Sequence, residues 1–390
     1  MLPTQLSQEQ LEALLEDYYD PEKKLSVSQI VEKYDLHVRP NELSKYFPDI
    51  QSDQICPYCD TNLTSKAPSR SSVSGLIFRC GTCSHSSRPN CFCENCRRKK
   101  QQIEANENAL KKALVLRFYG NPATNISAAH EITNLDDAVS LRALVAHAVD
   151  EDVRTVRPWS QTQVRFGPTD RLILDTVHRL YDSTLIAPDA ESALSSFHFG
   201  SLDEAPRYYP NKVNWIILPG LSKETRISFL RDLDPMIDLL LEYHDQQVRM
   251  SRKLLHAEAL EYYLYKLLTI DIEVEVGDKT KEVFSNLINK FSLSKIYQIV
   301  YQAIKSTHFF VAQNDIPEYR AKNMYIGSVE RTASKYEAEG WLKDYRRDFN
   351  CPQTTLSATY FNGALRLGEK YFSSSLSQIS PPPANSSPRP

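Results

Sequence analysis

Seven of the eight cysteines in this 390-residue chain lie between Cys56 and Cys96. Thiolates gathered this densely, with a histidine among them, have the chemistry of metal ligands in a reducing compartment rather than of disulfides spread along a secreted chain. Cys56-Pro57-Tyr58-Cys59 and Cys80-Gly81-Thr82-Cys83 are two CxxC pairs separated by twenty residues. Each such turn lets two thiolates converge on one ion, and two turns complete a tetrahedral site. His85, Cys91, Cys93 and Cys96 supply four more ligand atoms, enough for a second site of three thiolates and one imidazole. The spacing leaves three arrangements open: two separate sites, a cross-brace that exchanges ligands between ions, and a spare thiol in the tight Cys91-Phe92-Cys93 pair. The expectation is two Zn2+ ions. With all eight ligands used, no coordination position stays open for water or substrate, so the ions are structural. Residues 61–74 are rich in Thr, Ser and Pro and would not close a core without them. Redox chemistry at a CxxC needs a βαβ context that the sequence lacks. Cys351 stands apart and reads as an ordinary buried thiol.

Residues 56–96 resemble the zinc ribbon family. That resemblance implies two metal-binding knuckles on short hairpins, the second supplied by residues 70–79 with Val73, Leu76, Ile77 and Phe78. It also implies recognition of nucleic acid or protein rather than catalysis. Charge points the same way. The whole chain carries a formal net charge of -3, so a globally basic surface is excluded. Residues 51–118 nevertheless hold eleven Lys and Arg against five Asp and Glu, a local +6, whereas residues 1–50 hold five against ten. Arg97, Arg98, Lys99 and Lys100 directly follow the last cysteine and begin a helix expected to run to about Phe118, with Arg79 and Arg88 nearby. Cations at a helix N-terminus oppose its dipole, which suggests an external anion such as phosphate. A solvated charge run is the competing reading.

The elements ahead of the cysteines are well signposted. Ser7 with Gln10 and Ser26 with Gln29 read as capping boxes, and Leu6 with Leu11 and Leu25 with Ile30 as hydrophobic staples. Leu11, Leu14, Leu15, Tyr18 and Tyr19 make one helical stripe, and Val27, Ile30, Val31 and Tyr34 a second. Pro40 then opens a third short helix that stops at Pro48. The order resembles a helix-turn-helix module with residues 40–47 in the recognition position, which implies groove contacts from Arg39, Asn41 and Lys45. The acidic balance of residues 1–50 opposes that implication.

Further along, helices are expected around Leu141–Ala148 and over Asp170–Tyr181, with short strands at Leu185-Ile186 and Val213–Leu218, a set compatible with a winged-helix-like unit. Asp234-Pro235 reads as the start of one long helix ending at Leu268. Ile270, Ile272, Val274 and Val276 alternate with Asp271, Glu273 and Glu275, which predicts a half-exposed strand. Helices follow around Val283–Ile288 and Ile296–Ile304. Residues 373–390 are Ser- and Pro-rich and read as a disordered tail. The expected architecture is a mainly α, multidomain chain: a bundle (1–50), a small β-hairpin zinc ribbon with its basic helix (51–118), a mixed α/β middle (119–220), a helical C-terminal half (221–372) and the tail.

No GxxxxGK[ST], GxGxxG, HExxH or GxSxG occurs, so the common nucleotide, redox, metalloprotease and hydrolase motifs are absent. Arg142 to His147 and Arg171 to His178 match the Arg-x(4–6)-His element of small helical ribonucleases, but such pairs arise by chance at this composition. A carboxylate row at Asp271, Glu273 and Glu275, with Lys279 or Lys281, is the start a metal-dependent nuclease would need; a solvated edge-strand face explains it more simply. No secretory signal or membrane-length apolar run is present, and a cytoplasmic location is predicted. The reading is therefore a zinc-containing protein that recognises nucleic acid, most naturally duplex DNA, with a C-terminal half that binds a partner or another copy. The alternatives are a protein–protein adaptor with purely structural zinc and a nuclease with an unrecognised site.

Overall fold

The computed structural model describes residues 1–70, 76–122, 132–201, 203–220 and 222–381. It is mainly helical, with three small antiparallel sheets among the described residues. The chain divides into two compact units, Met1–Leu110 and Lys111–Pro390.

The first unit opens with helices α1 (Gln8–Tyr19) and α2 (Val27–Lys33). Both capping boxes are formed: Ser7 Oγ accepts from the Gln10 amide while Gln10 Oε1 accepts from the Ser7 amide, and Ser26 and Gln29 do the same. Leu14, Tyr18, Ile30, Leu36, Leu43 and Phe47 form the core of this bundle. Asp17 is buried inside it and accepts from Lys33 (2.5 Å), Tyr34 (2.8 Å) and Lys23 (3.1 Å). Lys33 first, then Tyr34, holds its carboxyl down from an ordinary 3.8 to about 2. The third helix departs from the expectation. Residues Pro40–Tyr46 form a 3-10 helix rather than an α-helix.

Next come strands β1 (Ile50–Ile55) and β2 (Asn62–Ser65), paired antiparallel with Ile50 opposite Ser65 and Ile55 opposite Asn62. The expected second hairpin is not formed by its described residues. Arg79 makes single bridges to Thr64 and Ser86, Leu76 to Phe78 lie outside any strand, and residues 71–75, Val73 among them, lie outside the described residues. Helix α3 (Glu94–Tyr119) then begins three residues earlier than predicted.

The second unit has one continuous hydrophobic cluster reaching from Val115 to Ile379, so the expected segments 119–220 and 221–372 share a core. Helix α4 (Leu135–Ala148), strand β3 (Thr155–Val156), helix α5 (Asp170–Asp182) and strand β4 (Ile186–Pro188) lead through a small β5–β6 pair (Phe197–His198, Arg207–Tyr208) to β7 (Trp215–Ile217). The main sheet has the order β3-β7-β4.

The predicted long helix is two, α6 (Lys223–Leu240) and α7 (His244–Leu268). Pro235 lies inside α6 instead of starting it. Residues 270–276, predicted as a strand, belong to no sheet. Their burial still alternates: Ile272, Val274 and Val276 are half-buried, while Asp271, Glu273 and Glu275 are exposed. Side chains thus point to opposite sides, as along a strand, but the ladder partner is missing. Helices α8 (Asp278–Lys290), α9 (Leu293–Gln313) and α10 (Glu318–Ala338) complete the core. Short helices follow: α11 (Thr355–Ser357), continued by a π-helix (Ala358–Ala364), then α12 (Lys370–Ser373) and α13 (Leu376–Ile379). The expectation of disorder from residue 373 is therefore corrected as far as residue 381. Leu376 and Ile379, one helical turn apart, are buried, and Ser380 hydrogen-bonds Ser251 at 3.0 Å. No helix among the described residues is long and apolar enough to cross a membrane.

Candidate metal centres and the basic helix

The two CxxC turns have the same local geometry. In the first, the Cys56 amide donates to Thr61 O (2.8 Å) and the Asp60 amide to Cys56 O (3.1 Å). In the second, the Cys80 amide donates to His85 O (2.7 Å) and the Ser84 amide to Cys80 O (2.9 Å). The fifth residue of each turn, Asp60 or Ser84, is left-handed with φ of 51° or 59°, which folds the chain back and aims both thiols inward. The β1–β2 hairpin carries the first turn between its strands. Arg79, bridged on one side to Thr64 and on the other to Ser86, carries the second.

These turns bring the eight predicted ligands into two separate groups. Cys56, Cys59, Cys80 and Cys83 form one, and His85, Cys91, Cys93 and Cys96 the other. Within each group the ligand atoms all lie within 4.8 Å of one another. Around a tetrahedral zinc, sulfurs at about 2.3 Å from the metal stand about 3.8 Å apart, and a sulfur and an imidazole nitrogen about 3.6 Å. Cys56 and Cys83 sulfurs are 3.5 Å apart, and His85 Nδ1 is 3.2 Å from Cys96 Sγ and 3.8 Å from Cys93 Sγ. The spacing therefore fits a divalent ion in each group, with Nδ1 as the histidine donor. The arrangement is sequential, not a cross-brace, and the Cys91-Phe92-Cys93 pair has no spare thiol.

Four sulfurs this close cannot all be thiolates without a cation between them. Hydrogen bonding to Cys83 pushes Cys59 up to about 12, whereas the Thr61 hydroxyl, 3.4 Å from its sulfur, helps draw Cys80 down to about 5. Burial pushes Cys93 up to about 11. Burial also opposes the Cys91 thiolate, but amide donors from Cys93 (3.4 Å) and Ser86 (3.2 Å) outweigh it and bring Cys91 to about 6. A dication held by these thiols would take the place of the shared protons and even out this division. Among the described residues these are the only groups of His, Cys, Asp and Glu within metal-binding reach; the row Asp271, Glu273 and Glu275 forms none.

Two aromatic residues at the second centre escaped the sequence reading. The Tyr58 hydroxyl is 3.4 Å from Cys96 Sγ, and its ring meets His85 edge-on at 5.4 Å. It sits inside the first CxxC, and so ties the two centres together. Phe92, between two ligands, is 89% exposed.

Of the predicted nucleic-acid contacts, Arg79, Arg88, Arg97, Arg98, Lys99 and Lys100 are all exposed. Every side chain of α3 from Arg97 to Leu110 is exposed, so none of the described residues of the first unit covers this stretch. Because α3 begins at Glu94, the cations occupy its second turn, away from the positive end of the dipole, and the dipole argument for an external anion lapses. Arg98 is engaged by Glu94 at 2.5 Å. At 100° per residue, Arg97 and Lys100 share a face. Arg39, Asn41 and Lys45 are exposed too, but the 3-10 geometry separates them. At three residues per turn, Asn41 and Lys45 stand about 120° apart rather than about 40° as on an α-helix. Lys45 is also paired with Glu42 at 3.0 Å.

His147, of the ribonuclease-like pairs, is held between the Thr162 and Thr355 hydroxyls at 2.8 and 2.9 Å, and burial lowers its pKa. His178 is exposed on α5. The buried thiol of Cys351 lies far in sequence from both centres, and burial pushes it up to about 12. No protein-family model, curated protein or solved structure matches the chain.

Proposed function

We propose that the chain is a zinc-containing nucleic-acid recognition protein that binds duplex DNA through the face of α3 next to the second metal centre. The observation that carries this reading is the run Arg97–Lys100, exposed on a helix whose first turn holds Cys96 of the second ligand group. Such a helix is held at one end and is exposed from Arg97 to Leu110 among the described residues, so Arg97, Lys99 and Lys100 are available to phosphates. The two centres serve as folding devices of the zinc-ribbon kind, with four protein ligands each and no open position for catalysis.

Metal loading itself tempers the electrostatics. Seven thiolates and two dications add -3, so the +6 of residues 51–118 becomes about +3. The attraction is therefore local to α3, and affinity at moderate salt is modest. Base selectivity from Arg39 and Asn41 has little geometric support. The α4-β3-α5-β4-β7 order with sheet β3-β7-β4 is compatible with a winged-helix-like unit, but the exposed face of α5 carries Asp170, Asp175 and Asp182 against Arg171, a poor match to phosphate. The test is salt-dependent duplex binding by the metal-loaded chain, with Arg97→Ala and Lys100→Ala as the decisive variants.

A further inference from the structure

A groove of about 1400 Å³ runs along α7 in the second unit, bounded by the first turn of α5, residues 272–276 and the start of α8. It is larger than the roughly 300–1,000 Å³ usual for small-molecule sites. From Arg249 to Leu268 it follows nineteen residues of helix, about 28 Å, the length of eight or nine extended residues. Three features inside it lack a partner. The amides of Glu273, Val274, Glu275 and Val276 donate to no acceptor among the described residues. They belong to the segment whose side chains alternate like a strand without a sheet. Glu261, 6% exposed, lines the groove; its Oε1 accepts from Arg165 at 2.9 Å, while its buried Oε2 has no donor among the described residues. Arg249 and Arg252, exposed and one turn apart on α7, have no ion pair or hydrogen bond among the described residues.

The geometry points to an extended peptide segment of a partner protein as the occupant, pairing its backbone with residues 273–276 and placing an acidic end on Arg249 and Arg252. Unpaired strand-like backbone is a template for strand addition, in which main-chain hydrogen bonds give affinity and alternate side chains give specificity. The groove is polarised to match. Arg249 and Arg252 stand at one end of its α7 wall, where Asp175 of the lining is already paired with Arg171 at 3.0 Å, whereas the other end presents Leu264, Leu268, Ile272 and Val274. A peptide N–H passing Glu261 supplies the donor that Oε2 lacks. A single-stranded nucleic acid fits less well. Its evenly spaced phosphates would lie against Glu261, Glu273 and the apolar end.

This inference is independent of the DNA reading, and its test uses the full metal-loaded chain. A displayed library of random octapeptides is selected on the protein. The strongest enriched sequence is then synthesised for titration and amide hydrogen exchange. The expected result is enrichment of peptides with Asp or Glu clustered at one end and alternating apolar residues, and slowed exchange at Glu273–Val276 when the peptide binds. Affinity should fall at least tenfold in Arg249→Glu/Arg252→Glu, whose thermal midpoint should match the parent because both side chains are exposed. The same variant should favour a peptide with its acidic end changed to Lys. No enrichment, unchanged exchange at 273–276, or tighter binding of an oligothymidine that displaces the peptide would each overturn the proposal.

Discussion

The separation of the ligands into two groups of four makes a sharp prediction for single substitutions. Cys56→Ser removes one of four ligands from the first centre and none from the second. Apparent zinc-binding energies of structural sites run at about 10–16 kcal/mol, so one ligand in four is worth about 2.5–4 kcal/mol. That corresponds to roughly 10²–10³-fold weaker binding at the first centre. Titrating the purified chain against a chromophoric chelator should then resolve two tight ions in the parent, and one tight and one weak ion in Cys56→Ser. Cys93→Ser should show the same pattern with the other centre weakened, and Cys351→Ser should match the parent. Protease mapping adds the location: cleavage within residues 56–70 should open in Cys56→Ser, and around Cys91–Cys96 in Cys93→Ser. Loss of both ions from either single variant would mean that the centres share ligands or fold as one. A parent chain holding less than half an ion would remove the metal account altogether.

Acid should loosen the N-terminal bundle. Asp17 has its carboxyl lowered to about 2, so its contribution is present above pH 4 and lost as pH falls towards 2; Asp17→Asn should be less stable at neutral pH and lack that acid step by circular dichroism. Leu376→Ala should cost about 2–3 kcal/mol in denaturant unfolding of the second unit, whereas a truly disordered tail would cost nothing. Neither His147→Ala nor His178→Ala should alter any nuclease activity of the purified chain, since one is clamped by threonines and the other faces solvent.

What the sequence made legible was local. Capping boxes and the i, i+3, i+4 stripes of α1 and α2 depend on neighbours within a turn or two, and they were formed as read. The ligand set was legible because a CxxC turn encodes its own geometry. Its division between ions was not, because that depends on how Arg79 bridges to Thr64 and Ser86. Long-range context decided the remaining cases. Pro235 is accommodated inside α6, although a proline more often begins or ends a helix. Residues 270–276 keep the period of two but have no strand partner among the described residues, since periodicity reports which side is buried and says nothing of a ladder. Leu376 and Ile379 are too few to stand out in a Ser-rich tail, yet their spacing of three suffices once α7 offers a surface. The arginines of the α7 groove were invisible as a site because α5, which completes it, is distant in the chain.

The central claim, phosphate recognition by α3, is tested most directly by titrating a labelled random-sequence duplex with the metal-loaded chain across a salt series. Arg97 and Lys100 share a face, so removing both should flatten the slope of log K against log salt by about 1.8, and weaken all sequences alike. Arg98→Ala should change the slope less, because Glu94 already engages that guanidinium. Duplex binding at low salt with that difference between variants is the predicted result. No binding at low salt, or a slope indifferent to Arg97 and Lys100, would contradict the account.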